Sequence, residues 1–359
     1  MANLFAKNYS RRDLLRRAGN IDQVCGIKRV VLDDGPSKGI TALEFRTGSG
    51  FEFMVLADRG MDISAASYCG RSLCWRSPTG DVAPAFYNPE RLEWLRTFFG
   101  GMVTTCGLTY AGAPTTDRGE ALGLHGRYAS LQARDLSHGG RWEGNQYVLS
   151  ASGTMREVAV FGPNIVLRRT VTAFLGESRL VIEDEIQNDG WSRQPLMLLY
   201  HCNFGFPLVD EKTRVYAPVK ETLARFTLEP VDEKVWSRFD PPTRGIGEGV
   251  FYHDMKADRR GEVTVVVANG AFNRGLGFGA YLRYRQRELP RFVQWKMPGE
   301  GTYVLGLEPS NCWVDGRDAE RKRRTLQHLR PGQTLTTRLE IGVLDGRRAI
   351  AEMRKRIAS

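Results

Sequence analysis

Histidine is scarce in this chain: only five of its 359 residues are histidines. Because histidine is the side chain that ordinarily titrates near neutral pH, few positions can serve as proton-transfer groups. The chain also contains no P-loop and no GxGxxG fingerprint. P-loop and dinucleotide chemistry therefore have none of their usual sequence motifs here.

Cysteine pairs and long apolar runs are missing as well. The six cysteines form no CxxC pair and have no zinc-finger spacing, so neither a disulfide scaffold nor a structural zinc site is predicted. No long apolar stretch follows the N-terminal arginines, so we predict neither a signal peptide nor a membrane span. We expect a cytoplasmic protein that needs no metal or other cofactor.

The charge is unbalanced, with a formal net charge of +10 at pH 7. The densest basic runs, at 321–324 and 354–356, are not accompanied by any nucleic-acid-binding motif, and we interpret them as solvated surface. As a functional interpretation, we favour binding of a small substrate that carries an anionic group by part of the surplus positive charge. We expect a small-molecule carbohydrate as the partner, no nucleic acid and no membrane, and we leave a homodimer open.

Most of the chain has the pattern of short strands separated by Gly, Pro and Asp turns. Helices are predicted at three places: after Ser10, where Asp13 completes a capping box and Gly19 provides a stop; over 88–99; and from about Asp345. The sequence therefore predicts an all-β-dominated fold, a large antiparallel sandwich with a few short helices. We divide it into an N-terminal helix and lead-in strand (1–35) and one sandwich domain (36–359).

Scaffolds often place functional sites where strands end in turns. We therefore take our candidate site residues from four such places in the sequence. In "LADRGMDI" (56–63), Arg59 is either a fork for sugar hydroxyls or anions, with Asp62 beside it, or part of an ion-paired turn. In "GLHGRYA" (123–129), glycines near His125 let a ligand approach closely, and Arg127 is a weaker companion.

Two further segments contain the remaining candidates. In "YHCNFGFP" (200–207), His201 follows an apolar run, so a packed core histidine is a serious alternative to a functional one. In "LGLEPSNC" (305–312), Glu308 ends an apolar strand, where burial would raise the pKa of its carboxyl toward the range useful to a general base. Two histidines and a glutamate allow metal binding, acid/base chemistry on a sugar, or simple ligand orientation.

The order of three motifs resembles the aldose 1-epimerase (galactose mutarotase-like) superfamily. They are "LHG" around His125, "DEIQNDG…PLMLLYHCNFG" over 184–205 and "GLEPSN" around Glu308, and the similarity covers roughly residues 40–345. The pattern looks closest to an uncharacterised branch, a domain of unknown function. The resemblance implies a β-supersandwich that binds a free sugar in an open cleft and interconverts its α and β anomers.

The resemblance also implies roles for the candidates. Glu308 would deprotonate the anomeric hydroxyl, His201 would protonate the ring oxygen, and His125 would bind the sugar and assist. The pH profile would then be bell-shaped, with its acidic limb set by Glu308 and its alkaline limb by His201. The residues expected to contact the sugar are Arg59, Asp62, Arg127, Asn203, Trp295, Lys296 and Asp254.

Two departures from the family pattern affect the substrate and the reaction. The usual aspartate between the second histidine and the glutamate has Asp254 as its candidate here, in "YHDM", and the "LADRGMDI" block is foreign to ordinary mutarotases. A metal-assisted sugar isomerase or lyase that uses His125, His201 and Glu308 as ligands, and a carbohydrate-binding protein without turnover, therefore remain alternatives.

Overall fold

The protein is described by a computed structural model that covers residues 2–357. Within those residues the chain is dominated by antiparallel strands, with five short helices. This confirms the predicted all-β sandwich. No helix in this range is both long and apolar enough to cross a membrane.

The strands, in chain order, are β1 (Ala2–Leu4), β2 (Lys7–Tyr9), β3 (Gly26–Val31), β4 (Thr41–Arg46), β5 (Phe51–Leu56), β6 (Asp62–Tyr68), β7 (Arg71–Ser72), β8 (Thr104–Leu108), β9 (Thr115–Asp117), β10 (Glu120–Leu122), β11 (Arg134–Glu143), β12 (Gln146–Val158), β13 (Asn164–Phe174), β14 (Arg179–Asn188), β15 (Gln194–Phe204), β16 (Thr213–Tyr216), β17 (Val219–Ala224), β18 (Gly249–Met255), β19 (Glu262–Asn269), β20 (Phe278–Arg285), β21 (Arg291–Gly299), β22 (Thr302–Ser310), β23 (Gln327–Leu329) and β24 (Thr334–Asp345). The helices are α1 (Arg11–Leu15), α2 (Glu233–Ser237), α3 (Phe272–Gly275), α4 (Arg317–Lys322) and α5 (Gly346–Ile357).

Three sheets contain most of these strands. One has eight strands in the order β11-β12-β13-β14-β24-β20-β19-β16. The second has the order β17-β18-β21-β22-β15-β23, with β8 also paired to β15, and the third has the order β3-β4-β5-β6-β7. Apolar side chains from all three sheets meet in one large core cluster, which makes the fold a sandwich with an added five-stranded sheet.

Strand β15 is buried on both faces, and its two faces have different neighbours. Leu198, Tyr200 and Cys202 belong to the large core between the sheets. Met197 and Leu199 lie on the other face, in a second apolar cluster. Because side chains alternate along a strand, His201 shares this second face.

The helix predictions have mixed outcomes. The capping box of Ser10 and Asp13 is present, but α1 ends at Leu15, well before Gly19. The C-terminal helix is confirmed as α5. The prediction of a helix over 88–99 was wrong, since the structure has only a 3₁₀ turn at Glu93–Thr97. The apolar residues there recur every three positions, which is the period of a 3₁₀ helix rather than an α-helix.

The boundary at residue 35 stays a prediction. Strand β3, which precedes it, pairs with β4, which follows it. Leu4, Leu14 and Cys25 also belong to the large core. The N-terminal segment is therefore packed into the same core as the strands that follow.

A fully buried ion network joins the three sheets. The guanidinium of Arg169 on β13 binds both carboxylate oxygens of Asp184 on β14, at 2.9 and 2.7 Å, and Asp62 on β6 at 2.7 Å. Its Nη2 also donates to Thr105 on β8, and Tyr200 on β15 donates to Asp184 at 2.7 Å. Every charge in this network therefore has a partner.

Removing Arg169 would leave two buried carboxylates without their cation. We expect Arg169→Met to lower the free energy of unfolding by about 3–5 kcal/mol. The neighbouring Arg168 provides a matched control, because its pair with Glu185 on β14 is exposed, and Arg168→Met is expected to cost about 0–1 kcal/mol. Urea denaturation measures both variants, and equal losses would contradict the central role of the network.

Candidate functional site

A cavity of about 650 Å³ opens on one face of the seven-stranded sheet, the face to which His201 of β15 points. Its walls combine a few polar side chains with many apolar and aromatic ones, as is usual for small-molecule sites. The polar side chains are Ser77, Thr79, His125, His201, Arg225, Glu248, Thr302 and Glu308, and the aromatic ones are Trp75, Trp94, Phe98 and Trp295.

His201 and Glu308 are brought together by strand pairing. Strands β15 and β22 are antiparallel neighbours, with Cys202 opposite Leu307, and both site residues point to the cavity face. His201 Nε2 lies 3.2 Å from Glu308 Oε1. The two residues are 5% and 2% exposed, so the pair is almost fully removed from water.

Gly306 leaves room for this pair. A Cβ atom at Gly306 would lie 2.7 Å from Glu308 Oε1, 3.2 Å from His201 Cε1 and 3.0 Å from the Cβ of Trp295. Any other residue would therefore displace at least one of these three side chains. The glycine in "LGLEPS" is a requirement of the site.

His125 reaches the cavity from a loop rather than from a strand. Its φ is 56°, in the left-handed region that few non-glycine residues adopt. The strained backbone is fixed by hydrogen bonds from His125 N to Gly112 O (2.8 Å) and from Gly107 N to His125 O (3.1 Å). Strain held in this way is common at functional sites.

His125, His201 and Glu308 form a trio of ionisable groups in the cavity. Burial shifts the pKa of each in the direction that favours the neutral form. It lowers the pKa of His201 to about 4. The pKa of His125 falls well below its ordinary value through burial and through the nearby His201 and Arg225. Burial and the charge of Glu248 raise the pKa of Glu308 well above its ordinary value. When the pair holds a single proton, that proton therefore rests on Glu308.

Several buried polar atoms of the trio form no well-oriented hydrogen bond within residues 2–357. They are His125 Nδ1, His201 Nδ1 and Glu308 Oε1, although Glu308 Oε1 faces His201 Nε2 at 3.2 Å and the Asn203 side chain lies beside His201. By contrast, His253 uses both ring nitrogens, with Thr222 Oγ1 at 2.8 Å and Gln294 Oε1 at 3.2 Å. His253 is thus the satisfied core histidine of this sheet, and His125 and His201 are not.

Aromatic rings enclose the two imidazoles. The ring of His201 lies 5.5 Å from Trp295 and 5.3 Å from Phe98, measured between centroids. Trp94 lies 4.8 Å from His125, and the two imidazoles are 5.7 Å apart. These rings surround the two imidazoles with apolar surface.

Two charged residues of the cavity were missed by sequence reasoning. Glu248 is exposed at the mouth and accepts a hydrogen bond from Trp295 Nε1 at 2.8 Å. Arg225, at the end of β17, also lines the cavity. Glu248 stands between glycines, in "GEG", a pattern similar to the one that drew attention to His125. Nothing in the sequence distinguishes Arg225 from the other arginines.

Four predicted contact residues are corrected by their placement in the structure. The guanidinium of Arg59 is buried and does not line the cavity, and each of its three nitrogens donates to a backbone carbonyl, those of Ala129, Val82 and Thr97. Asp62 is paired with Arg169 in the buried ion network. Lys296 points to the opposite face of β21 from Trp295, because adjacent residues of a strand alternate, and it donates to Val235 O.

Asp254 is the fourth correction. It is exposed, pairs with Lys220 at 3.4 Å and lies outside the cavity. The carboxylate between His201 and Glu308 in chain order that does reach the cavity is Glu248.

Two other candidates lie close to the site without lining it. Arg127 is exposed two residues after His125. Asn203 is buried under His201 and donates to the carbonyls of Gly100 and His201 itself. Its position suits it to support His201 rather than to contact a ligand. Of the predicted residues, the structure brings His125, His201, Trp295 and Glu308 together in the cavity.

The residues that the structure describes contain no group of three or more His, Cys, Asp or Glu side chains arranged to hold a metal ion. His125, His201 and Glu308 are near one another but do not form such a set.

Comparison with solved structures places this architecture among known proteins. A protein from Klebsiella pneumoniae subsp. pneumoniae MGH 78578, described as a "putative aldose 1-epimerase", superimposes with a TM-score of 0.86 at 24% identity, over 94% of this chain and 90% of its own. A galactose mutarotase-like protein from Clostridium acetobutylicum gives 0.57 at 12% identity, over 89% and 98%. A galactose 1-epimerase from Lactobacillus acidophilus NCFM gives 0.51 at 14%, over 89% and 99%.

The chain therefore has the galactose mutarotase-like fold, as the motif order predicted. A family model matches residues 37–343, most of the chain, and the protein belongs to that family, described as a domain of unknown function (DUF4432). No curated protein matches the sequence.

The two buried histidines of the seven-stranded sheet are expected to respond differently to substitution. His253→Asn breaks two satisfied hydrogen bonds, so we expect it to lower the free energy of unfolding by about 1–3 kcal/mol. His201→Asn removes a ring whose Nδ1 has no partner, and we expect a clearly smaller loss. Thermal and urea denaturation measure both. A larger loss for His201→Asn would make His201 the packed core histidine.

Proposed function

We propose that the protein is a sugar-active isomerase that interconverts the α and β anomers of a free aldose by acid/base ring opening. The observation that carries the proposal is the buried Glu308–His201 pair, with Oε1 and Nε2 3.2 Å apart and facing a cavity with aromatic walls. The shared fold with aldose 1-epimerase-like proteins supports the same reaction.

The pair can supply and remove both protons of the reaction. Transfer of the resting proton from Glu308 to His201 Nε2 gives a carboxylate beside an imidazolium. In the ring-opening step Glu308 takes the proton of the anomeric hydroxyl, the C1–O1 bond becomes a carbonyl, the C1–O5 bond breaks, and O5 receives the proton of His201. The pair thereby returns to its resting form, with a protonated Glu308 and a neutral His201.

The same resting form can then run the reverse step. After rotation about C1–C2, His201 accepts the proton of the C5 hydroxyl while Glu308 returns a proton to the carbonyl oxygen, and the ring closes as the other anomer. His125, held near His201 by its fixed backbone, is placed to donate a hydrogen bond to the sugar. Trp295 and Trp75 supply stacking surface, and Glu248 supplies a carboxylate for sugar hydroxyls.

Loss of either proton-transfer group should reduce turnover strongly. We expect Glu308→Gln and His201→Asn each to lower the rate by about 10²–10⁴-fold. The double variant should be little slower than the poorer single one, because the two residues act as a unit. Polarimetry or NMR exchange on a panel of aldoses measures the effect, and Glu185→Gln and His138→Asn, both exposed, serve as controls.

The same assay separates the remaining alternatives. If no aldose is turned over faster than in buffer while calorimetry detects saturable sugar binding, the protein is a carbohydrate-binding member of the fold. If neither turnover nor binding is seen with any aldose, the proposal fails.

The pH profile should reflect the resting protonation of the pair. The active form has one shared proton, so activity falls as pH drops through the pKa of His201, about 4, because a second proton is taken up. Activity also falls as pH rises through the raised pKa of Glu308, because the shared proton is lost. This assigns the acidic limb to His201 and the alkaline limb to Glu308, the reverse of the assignment that the resemblance implied.

Measurement of kcat/KM against pH tests this assignment, because that parameter reports the free enzyme. The residual activity of His201→Asn should lack the acidic limb, and that of Glu308→Gln should lack the alkaline limb. An acidic limb that persists in His201→Asn and disappears in Glu308→Gln would restore the original order.

A further inference from the structure

Arg225 is the single Lys or Arg among the described residues that line the cavity. Its orientation is fixed by two hydrogen bonds: Nε donates to Asp315 Oδ1 at 2.8 Å, and Nη2 donates to Val314 O at 3.1 Å. Nη1 forms no hydrogen bond with any described residue. A guanidinium that is held on one edge and unpartnered on the other is set up to bind an acceptor.

The position of Arg225 couples it to the proposed reaction centre. Its charge contributes to lowering the pKa of His125 and opposes the rise in the pKa of Glu308. Arg225, His125 and Glu308 line the same cavity, so a substrate with C1 at Glu308 can present another of its substituents to Arg225.

The surroundings of Arg225 favour an anion of low charge. The side chain of Arg225 is 17% exposed, so an acceptor bound there is largely removed from water, where charge-assisted hydrogen bonds are strong. The Glu248 carboxylate lines the same cavity and would repel a dianion such as a phosphate monoester more strongly than a monoanion. One planar guanidinium also matches the two oxygens of one carboxylate.

Resting on the proposed function, we infer that the substrate is an aldose with a single carboxylate, a sugar of the uronic-acid class, and that Arg225 is the residue that selects it. A neutral sugar would leave the Nη1 edge of Arg225 bound only to a hydroxyl or to water. This also gives a specific use to part of the positive charge of the chain.

The test is a comparison of matched sugars. We expect kcat/KM for galacturonate and glucuronate to exceed that for galactose and glucose by about ten- to a hundredfold, the usual range for a hydrogen bond to a charged group. Glucose 6-phosphate should not share the advantage. In Arg225→Gln the ratio of uronate to neutral sugar should fall to near one.

Arg323 supplies the matched control. It binds the other oxygen of Asp315 at 2.7 Å but does not line the cavity, so Arg323→Gln removes an equal charge and should keep the ratio. Arg225→Lys, which keeps the charge and loses the fork, should give an intermediate ratio and serves if the glutamine variant does not fold.

The outcomes separate this inference from the proposed function. Turnover without preference for uronates, or with preference for the phosphate, overturns the inference and leaves the isomerase intact. If no sugar is turned over, the proposed function fails, and calorimetry with galacturonate still tests Arg225. Binding that weakens at least tenfold in Arg225→Gln and not in Arg323→Gln supports the role of Arg225, and equal binding by both variants overturns it.

Discussion

The structure depends on one buried cation, Arg169, and on the acids that surround it. Two carboxylates and a guanidinium removed from water are tolerated only when each has its partners, since an unpaired buried charge costs several kcal/mol. Here Asp62 comes from the five-stranded sheet, Arg169 and Asp184 from the eight-stranded sheet, and Tyr200 from the seven-stranded sheet. The network can therefore form only when the three sheets are correctly placed against one another.

The site is built on the other side of the same strand. Tyr200 points into the network and His201, the next residue, points into the cavity, so a structural requirement and a candidate catalytic group share one segment of β15. Strand β8 strengthens this link, because Thr105 lies opposite Tyr200 and belongs to the network, and Thr104 lies opposite His201. The position of His201 is thus set by contacts that are strong and remote from solvent.

Much of the fold could be predicted from the sequence, because strand alternation and turn residues are local properties. The capping box at Ser10 and the C-terminal helix were found for the same reason. The 88–99 segment failed because a three-residue apolar spacing suits a 3₁₀ turn as well as a helix. The order of motifs was needed to go from strands to the mutarotase-like sandwich.

The candidate site was only partly predictable, and the reason lies in the distinction between a charge that lines a cavity and a charge that stabilises the core. Arg59 and Asp62 have the residue types and the turn context of a binding motif. Yet each nitrogen of the buried Arg59 guanidinium donates to a backbone carbonyl, and Asp62 is paired with Arg169. Arg225 has no distinctive context and still reaches the cavity, because the pairing of β17 with β18 brings it there. The pairing of strands that are distant in sequence determines which arginine lines the cavity. A local sequence pattern does not reveal that pairing.

Hydrogen bonding supports the proposal that His125, His201 and Glu308 are the functional part of the cavity. Most buried polar groups in folded proteins are hydrogen-bonded, and an unpartnered one costs stability. His253, on the same sheet, follows that rule, whereas His125, His201 and Glu308 each leave a buried atom without a well-oriented hydrogen bond. The fold is therefore less stable than it would be if the polar atoms of these three groups were hydrogen-bonded as those of His253 are. A ligand that supplies hydrogen-bonding partners there, as a sugar would, recovers that stability on binding, so the unsatisfied atoms favour binding of a polar ligand in this cavity.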